Sequence, residues 1–254
     1  MATLDASIVV PVRLDQSPPP HGEVREDIAG SGHVETSIVT ALTPDQVVVV
    51  GYWPVPDQSA PRQLRDQFGD EAQASLDAVV ESLDAGEFEL TSELVFTRDR
   101  DQLIDRVANR YGSTAVLVPG VVRSDPPESV LVLLKSDSDV DRLATMVGTL
   151  FADSDVDILL FHAVEGGDDA DATAHMLHDV ADRLADRGID SDRIRSQQSD
   201  QGSRVETIVS EVSDHDLVVL GESEPSVRER LFGPVQSGIT DRTDRPSLTV
   251  RASP

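Results

Sequence analysis

Two glycines near the C-terminus are the residues whose placement most directly suggests chemistry. The apolar run Leu217-Val218-Val219-Leu220 ends on Gly221; polar Glu222-Ser223-Glu224 follows, and after Phe232 come Gly233-Pro234-Val235-Gln236. This reads as a buried strand ending on glycine, a polar loop, and a second glycine opening a short helix predicted over Val235–Thr243. Such a loop can wrap a phosphate, because glycine lets backbone N–H groups come close and a helix N-terminus favours an anion. Other candidates carry plainer readings. His175 and His178 lie three apart on a predicted helix behind Asp168, Asp169 and Asp171. They could share a face toward a metal, but acids at the positive end of a solvated helix explain the pattern as well, and that reading is preferred. His162 closes a predicted strand and could move a proton. No serine or acid follows it in a nucleophile pattern, so a hydrogen-bonded strand-end histidine is expected. There is no cysteine, which removes disulfides, thiolate metal sites and cysteine catalysis.

The elements that must position these groups alternate. Ser7–Val12 and Ser129–Leu134 are short, β-branched and apolar, so both read as buried strands. After the first come a helix at His33–Leu42, a strand at Gln46–Trp53, a helix at Arg62–Leu83, a strand at Phe88–Phe96, a helix at Arg100–Arg110 and a strand at Thr114–Val118. After the second come a helix at Val140–Phe151, a strand at Val156–Val164, a helix at Ala170–Arg187, a weak strand at Ile194–Gln198, a helix at Ser203–Val212 and a strand at Asp216–Leu220. The order repeats, with matched strands offset by 122, 110 and 101 positions. The expected architecture is α/β: two tandem parallel-sheet sandwiches with helices on both faces, over residues 1–125 and 126–254. In such sheets the ligand crevice lies beyond the strands' carboxyl ends, here just after Val12, Trp53, Val118, Leu134, Val164 and Leu220. Tyr52, Trp53, Pro54 and Pro56 could line it or a partner surface, though packing against the opposite half is at least as well supported. Arg98, Arg100 and Arg106 alternate with Asp99, Asp101 and Asp105, a pattern of exposed ion pairs.

The C-terminal segment resembles the universal stress protein family, whose nucleotide loop reads glycine, two residues, glycine, nine residues, glycine, then serine or threonine. Gly221 matches the first glycine and Gly233 the third. From Gly233 through Val235 and Pro246 to Arg251 the spacing fits without a gap, and the strand end Phe161-His162-Ala163-Val164 is similar to the family's second strand. The resemblance implies that both sandwiches are Rossmann-like (adenine nucleotide α-hydrolase-like), and an ATP or AMP site drawing on Gly221, Gly233, Val235, Val164 and Lys135, the last standing where the family usually has an aspartate. It also implies a homodimer or an internal pseudo-dimer, and partners such as a transporter or a signalling protein. The departures change that expectation. Glu224 replaces the second glycine, eleven residues rather than twelve separate Gly221 from Gly233, and Pro234 supplies neither hydroxyl nor N–H. Losing a donor and gaining a like charge each cost on the order of 1–3 kcal/mol, together ~100-fold or more in affinity. After Gly120 only eight residues precede the next strand, too few for a loop and helix, so the first half is not expected to hold such a site. The reading is therefore a non-enzymatic regulatory or interaction module with weak or absent ATP binding. Its alternatives are an ATP/AMP-binding stress-response sensor and a nucleotide-dependent hydrolase of another α/β type.

Composition bounds the partners. The chain of 254 residues carries 47 acidic and 21 basic residues, a net charge of −26, and Lys135 is its one lysine. Acid is spread along the whole length, which suits a salt-rich cytosol or a basic partner and disfavours nucleic acid. No apolar run reaches the ~20 residues of a membrane span, and the N-terminus lacks a signal-peptide pattern; a cytoplasmic location without membrane insertion is expected. The charge generates a prediction. The thermal unfolding midpoint rises as KCl goes from ~0.1 M to ~1 M and the Debye length falls from ~10 to ~3 Å; a midpoint that stays level or falls contradicts the salt-adapted reading.

Overall fold

Side chains on both faces of most strands are apolar, so both faces of the sheet need covering. The computed structural model describes residues 6–15, 36–83, 86–120, 127–134, 137–163, 169–199, 204–222 and 245–252. In chain order the elements are β1 (Ser7–Arg13), α1 (Thr36–Ala41), β2 (Gln46–Pro54), α2 (Pro61–Leu83), β3 (Glu89–Thr97), α3 (Arg100–Tyr111), β4 (Ala115–Val118) and β5 (Ser129–Leu134). They continue with α4 (Asp137–Phe151), β6 (Asp157–His162), α5 (Ala170–Ala185), β7 (Ile194–Gln198), α6 (Arg204–Asp214), β8 (Leu217–Gly221) and β9 (Ser247–Val250). The helix expected over Val235–Thr243 lies outside the described residues.

All nine strands form one sheet, ordered β3-β2-β1-β4-β9-β8-β5-β6-β7. Every neighbouring pair is parallel except β4 with β9. The α/β class and largely parallel pairing follow the alternation in the sequence; the fusion of both strand sets into a single sheet was not foreseen. Its physical origin is the short connection after Gly120: β4 has no strand of its own half beyond it, and β9 takes that edge. Antiparallel pairing there turns the two strand sets head to tail, so their carboxyl ends emerge at opposite rims. The β1–β4 ladder covers only Ile8 and Val9, stopping before Pro11, which has no N–H to give.

The ladders also correct the offsets. Gln46 stands opposite Ser7 and Asp157 opposite Ser129, so the second strands lie 111 apart; Ile8 meets Ala115 and Val130 meets Leu217, so the fourth lie 102 apart. A one-residue slip would put every side chain on the wrong face. Side-chain parity agrees with the ladders, since Ala115, Leu117, Leu217 and Val219 all join the same core. The strand entries match under these offsets. Thr114 donates its N–H to the Ser7 carbonyl and accepts the Ser7 N–H on Oγ1; Asp216 donates to the Ser129 carbonyl and accepts the Ser129 N–H and hydroxyl on Oδ2.

One core runs across both strand sets. Ile8, Val10 and Val47 from one end join Val130, Ile158 and Leu217 from the other, beneath Leu76 of α2, Met146 of α4 and Leu177 of α5, with Leu248 and Val250 of β9 between them. On the opposite face the cover is split: α3 packs Leu103, Val107 and Ala108 on Val9, Val48 and Val50, and α6 packs Ile208 and Val212 on Leu131, Phe161 and Val218. A second link sits at Thr43, a β-branched residue with φ of 40°, whose hydroxyl donates to the Leu150 carbonyl at the end of α4. Because the shared core passes through β9, Leu248→Ala is expected to cost about 2–5 kcal/mol. Unfolding should remain one cooperative transition, read by denaturant titration followed by circular dichroism; two separated transitions would contradict a single core.

Candidate functional site

Strands β5, β6, β8 and β9 end together at one rim, bringing Leu134, His162, Gly221 and Val250 side by side. Gly221 is the buried last residue of β8, opposite Val250. Glu222 extends that ladder, its N–H donating to the Val250 carbonyl at 2.7 Å. Its carboxylate then turns onto the chain's own tail: Oε2 accepts the Ala252 N–H at 2.5 Å, and Oε1 lies 3.9 Å from Arg251 Nε. Arg142, from α4, donates to the Ala252 carbonyl at 2.9 Å. Among the described residues, the rim beside Gly221 therefore carries the Glu222 carboxylate and the guanidinium groups of Arg142 and Arg251.

Arg251 is the unusual member. It is 8 % exposed, and a buried cation is tolerated only where its donors are met. Those partners come from the other strand set. One terminal nitrogen donates to Asn109 Oδ1 of α3 at 2.9 Å, the other to the Ser113 carbonyl at 3.3 Å, and the backbone N–H to the Thr114 carbonyl at 2.9 Å. His162 is buried with Nδ1 2.9 Å from the Leu134 carbonyl; a carbonyl only accepts, so Nδ1 carries the proton. The histidine thus ties the ends of β5 and β6 together, as a strand-end histidine should.

Of the residues expected at a nucleotide site, Gly221 stands at the strand end as anticipated. Gly233, Val235, Val164 and Lys135 lie outside the described residues, as do Glu224 and Pro234. Sequence reasoning assigned no role to Glu222, Arg142, Asn109 or Arg251. Only Arg251 left a signal, as an arginine directly behind a short apolar strand; Asn109 is 142 positions away from it.

The opposite rim, where β1, β2 and β4 end, is filled from within. Leu14 is buried, its N–H donating to the Tyr52 carbonyl at 3.0 Å and its side chain lying against Gly51, where a β-carbon would come within 2.7 Å of Leu14 Cδ1 and 3.0 Å of Leu76 Cδ1. Arg13 holds Asp15 through two bonds of 2.6 and 2.8 Å, which raises its pKa. Opposite Arg13, burial pushes the Tyr52 hydroxyl up against the pull of Arg100 and Arg13, with Arg100 5.7 Å over the ring. By the 102-position offset of these ladders, Pro119 rather than Gly120 corresponds to Gly221.

The remaining candidates resolve into structural roles. Trp53 stacks on Phe68 at 5.0 Å and Phe96 at 6.0 Å, within its own strand set rather than against the other, which corrects the expected packing. Asp99 caps α3 by accepting the Gln102 N–H, and Arg98 donates to the Ser59 carbonyl, in place of ion pairs for these two. Asp169 caps α5, and exposed His178 lies 3.7 Å from Asp182. The filled rim gives a thermodynamic test. Gly51→Ala is expected to cost about 1–3 kcal/mol by overpacking and Leu14→Ala about 2–5 kcal/mol. The double variant should cost less than their sum, because shortening Leu14 frees the space the new methyl needs. Additive losses in chemical denaturation would mean that Leu14 does not fill this space.

No family model and no curated protein matches the chain. Solved structures do. A universal stress protein from Archaeoglobus fulgidus DSM 4304 aligns over 96 % of this chain and 96 % of its own, at 11 % identity and a TM-score of 0.62. A universal stress protein in complex with cAMP aligns over 50 % of this chain and 98 % of its own, at 24 % identity and a TM-score of 0.38. The cytoplasmic domain of a prokaryotic cation chloride cotransporter aligns over 97 % and 95 %, at 10 % identity and 0.46. The archaeal match spans nearly the whole of both chains, and the protein has the fold of the universal stress proteins.

Proposed function

We propose that the protein is a non-enzymatic regulatory or interaction module with weak or absent ATP binding, built as two related halves, residues 1–125 and 126–254, packed as an internal pseudo-dimer. The observation that carries this reading is the use both rims make of the chain's own groups. Leu14 and the Arg13–Asp15 clasp occupy one. At the other, the residue after Gly221 is a carboxylate held to the Ala252 N–H. A phosphate approaching Gly221 meets that like charge, and Pro234 offers it no donor. Gly221, Gly233, Val235, Val164 and Lys135 remain the residues that would hold ATP or AMP. The matched strand entries support the two-half description, since Ser7 with Thr114 and Ser129 with Asp216 repeat one arrangement.

The proposed setting is a salt-rich cytoplasm, with a transporter or signalling protein as partner. No described helix is long and apolar enough to cross a membrane. A second reading, an ATP- or AMP-binding sensor, is favoured by Arg142, a guanidinium group held at Ala252 beside the Gly221 strand end. Isothermal titration of the full chain with ATP and with AMP at high salt decides between them. The module reading expects no binding tighter than about 1 mM, near −4 kcal/mol; micromolar binding would establish the sensor, and protein-dependent phosphate release would establish a hydrolase.

A further inference from the structure

Helix α3 runs from one rim of the sheet to the other. It starts after β3 at the rim that Leu14 fills, where Arg100 lies over Tyr52, and ends before β4 at the rim where Gly221 stands. Near its end, Asn109 Oδ1 accepts from Arg251, and the Ser113 carbonyl just beyond accepts from the same guanidinium. Arg251 in turn lies beside the carboxylate of Glu222, the residue that leaves Gly221, and that carboxylate also takes the Ala252 N–H. Two links thus join α3 to the residue after β8, amide to guanidinium and guanidinium to carboxylate, and the carboxylate is also tied to the tail.

Arg251 is spent on this path. With 8 % exposure it has little water to satisfy it, and two of its contacts are neutral oxygens from residues more than 130 positions away. A buried arginine is replaceable by apolar packing where it only fills space. Here its planar fork spans Asn109 of α3 and the Ser113 carbonyl between α3 and β4, with the Glu222 carboxylate 3.9 Å from its Nε, an arrangement a point-charge ammonium cannot reproduce. We propose that Arg251 is a positioning residue through which α3, on one strand set, sets the backbone leaving Gly221 on the other. The strand set whose own rim is filled thereby acts as the support for the rim that stays polar. This inference uses the same strand end as the proposed function, but its test needs no nucleotide and stands or falls separately from the titration.

The test is the amide spectrum of the full 15N-labelled chain. Asn109→Ala removes an acceptor from an exposed position, leaving the core untouched. It is expected to move the Gly221 and Glu222 resonances and to speed exchange of the Glu222 amide by roughly tenfold through local opening. Arg251→Lys should do the same. Arg106→Ala, exposed on the same helix, should leave both resonances in place. In the Arg251→Lys background, Asn109→Ala should add little further change. Unmoved Gly221 and Glu222 amides in Asn109→Ala, even with a lowered melting temperature, would overturn the proposal, because a purely structural contact lowers stability without reaching those amides. An equal Asn109→Ala effect with and without the Arg251 fork would overturn it too. Should Arg251→Lys fail to fold, Asn109→Ala and its Arg106→Ala control decide the question alone.

Discussion

The pairing of β9 on both its edges is the constraint on which the rest depends. A strand at the edge of a sheet leaves a row of backbone donors and acceptors that must be met. β4 faces that problem because eight residues after Gly120 the chain is already entering β5. β9 resolves it by offering one edge to β8 in parallel and the other to β4 in antiparallel register. From this follow the single sheet, the continuous core beneath α1, α2, α4 and α5, and the buried position of Arg251 one residue past the strand. Four residues of backbone thus do for two strand sets what a separate strand in each would otherwise do.

The charge distribution is consistent with this division of labour. Cohesion comes from valine, leucine and isoleucine on both faces of the sheet, while the acidic excess contributes nothing to packing and repels itself at low salt. Where acids are drawn into the fold they act as acceptors for backbone N–H groups: Asp45 for Ala6, Asp216 for Glu128 and Ser129, Glu222 for Ala252. Such carboxylates close strand entries and exits, where the ladder itself supplies no partner. At the rims, side chains accordingly tie segments that are distant in the sequence.

Much of the fold was legible because parallel strands covered on both faces must be short apolar runs, and those runs stand out between charged helices. β2 and β7 appear where the runs placed them, and even the weak strand Ile194–Gln198 pairs along its whole length with β6. What escaped the sequence are properties of the backbone and of distance. Two valine-rich runs can be aligned with equal ease one residue apart, and only the face on which Leu117 and Val219 are buried chooses between them. The union of β4 with β9 is made by main-chain groups that no side chain announces. At the candidate site, the glycine at the end of β8 was readable from its place after an apolar run. The hold of Asn109 on Arg251 was not, because an exposed asparagine on a polar helix face is among the least informative residues in a chain.

Head-to-tail joining of the two strand sets gives the molecule a lengthwise polarity. One rim presents an aromatic ring bracketed by arginines and sealed by leucine; the other presents a carboxylate and two arginines around a glycine. Because these surfaces point away from each other, a flat partner can cover only one at a time. The two ends of the sheet are therefore chemically dissimilar, so what recognises one rim has no counterpart at the other.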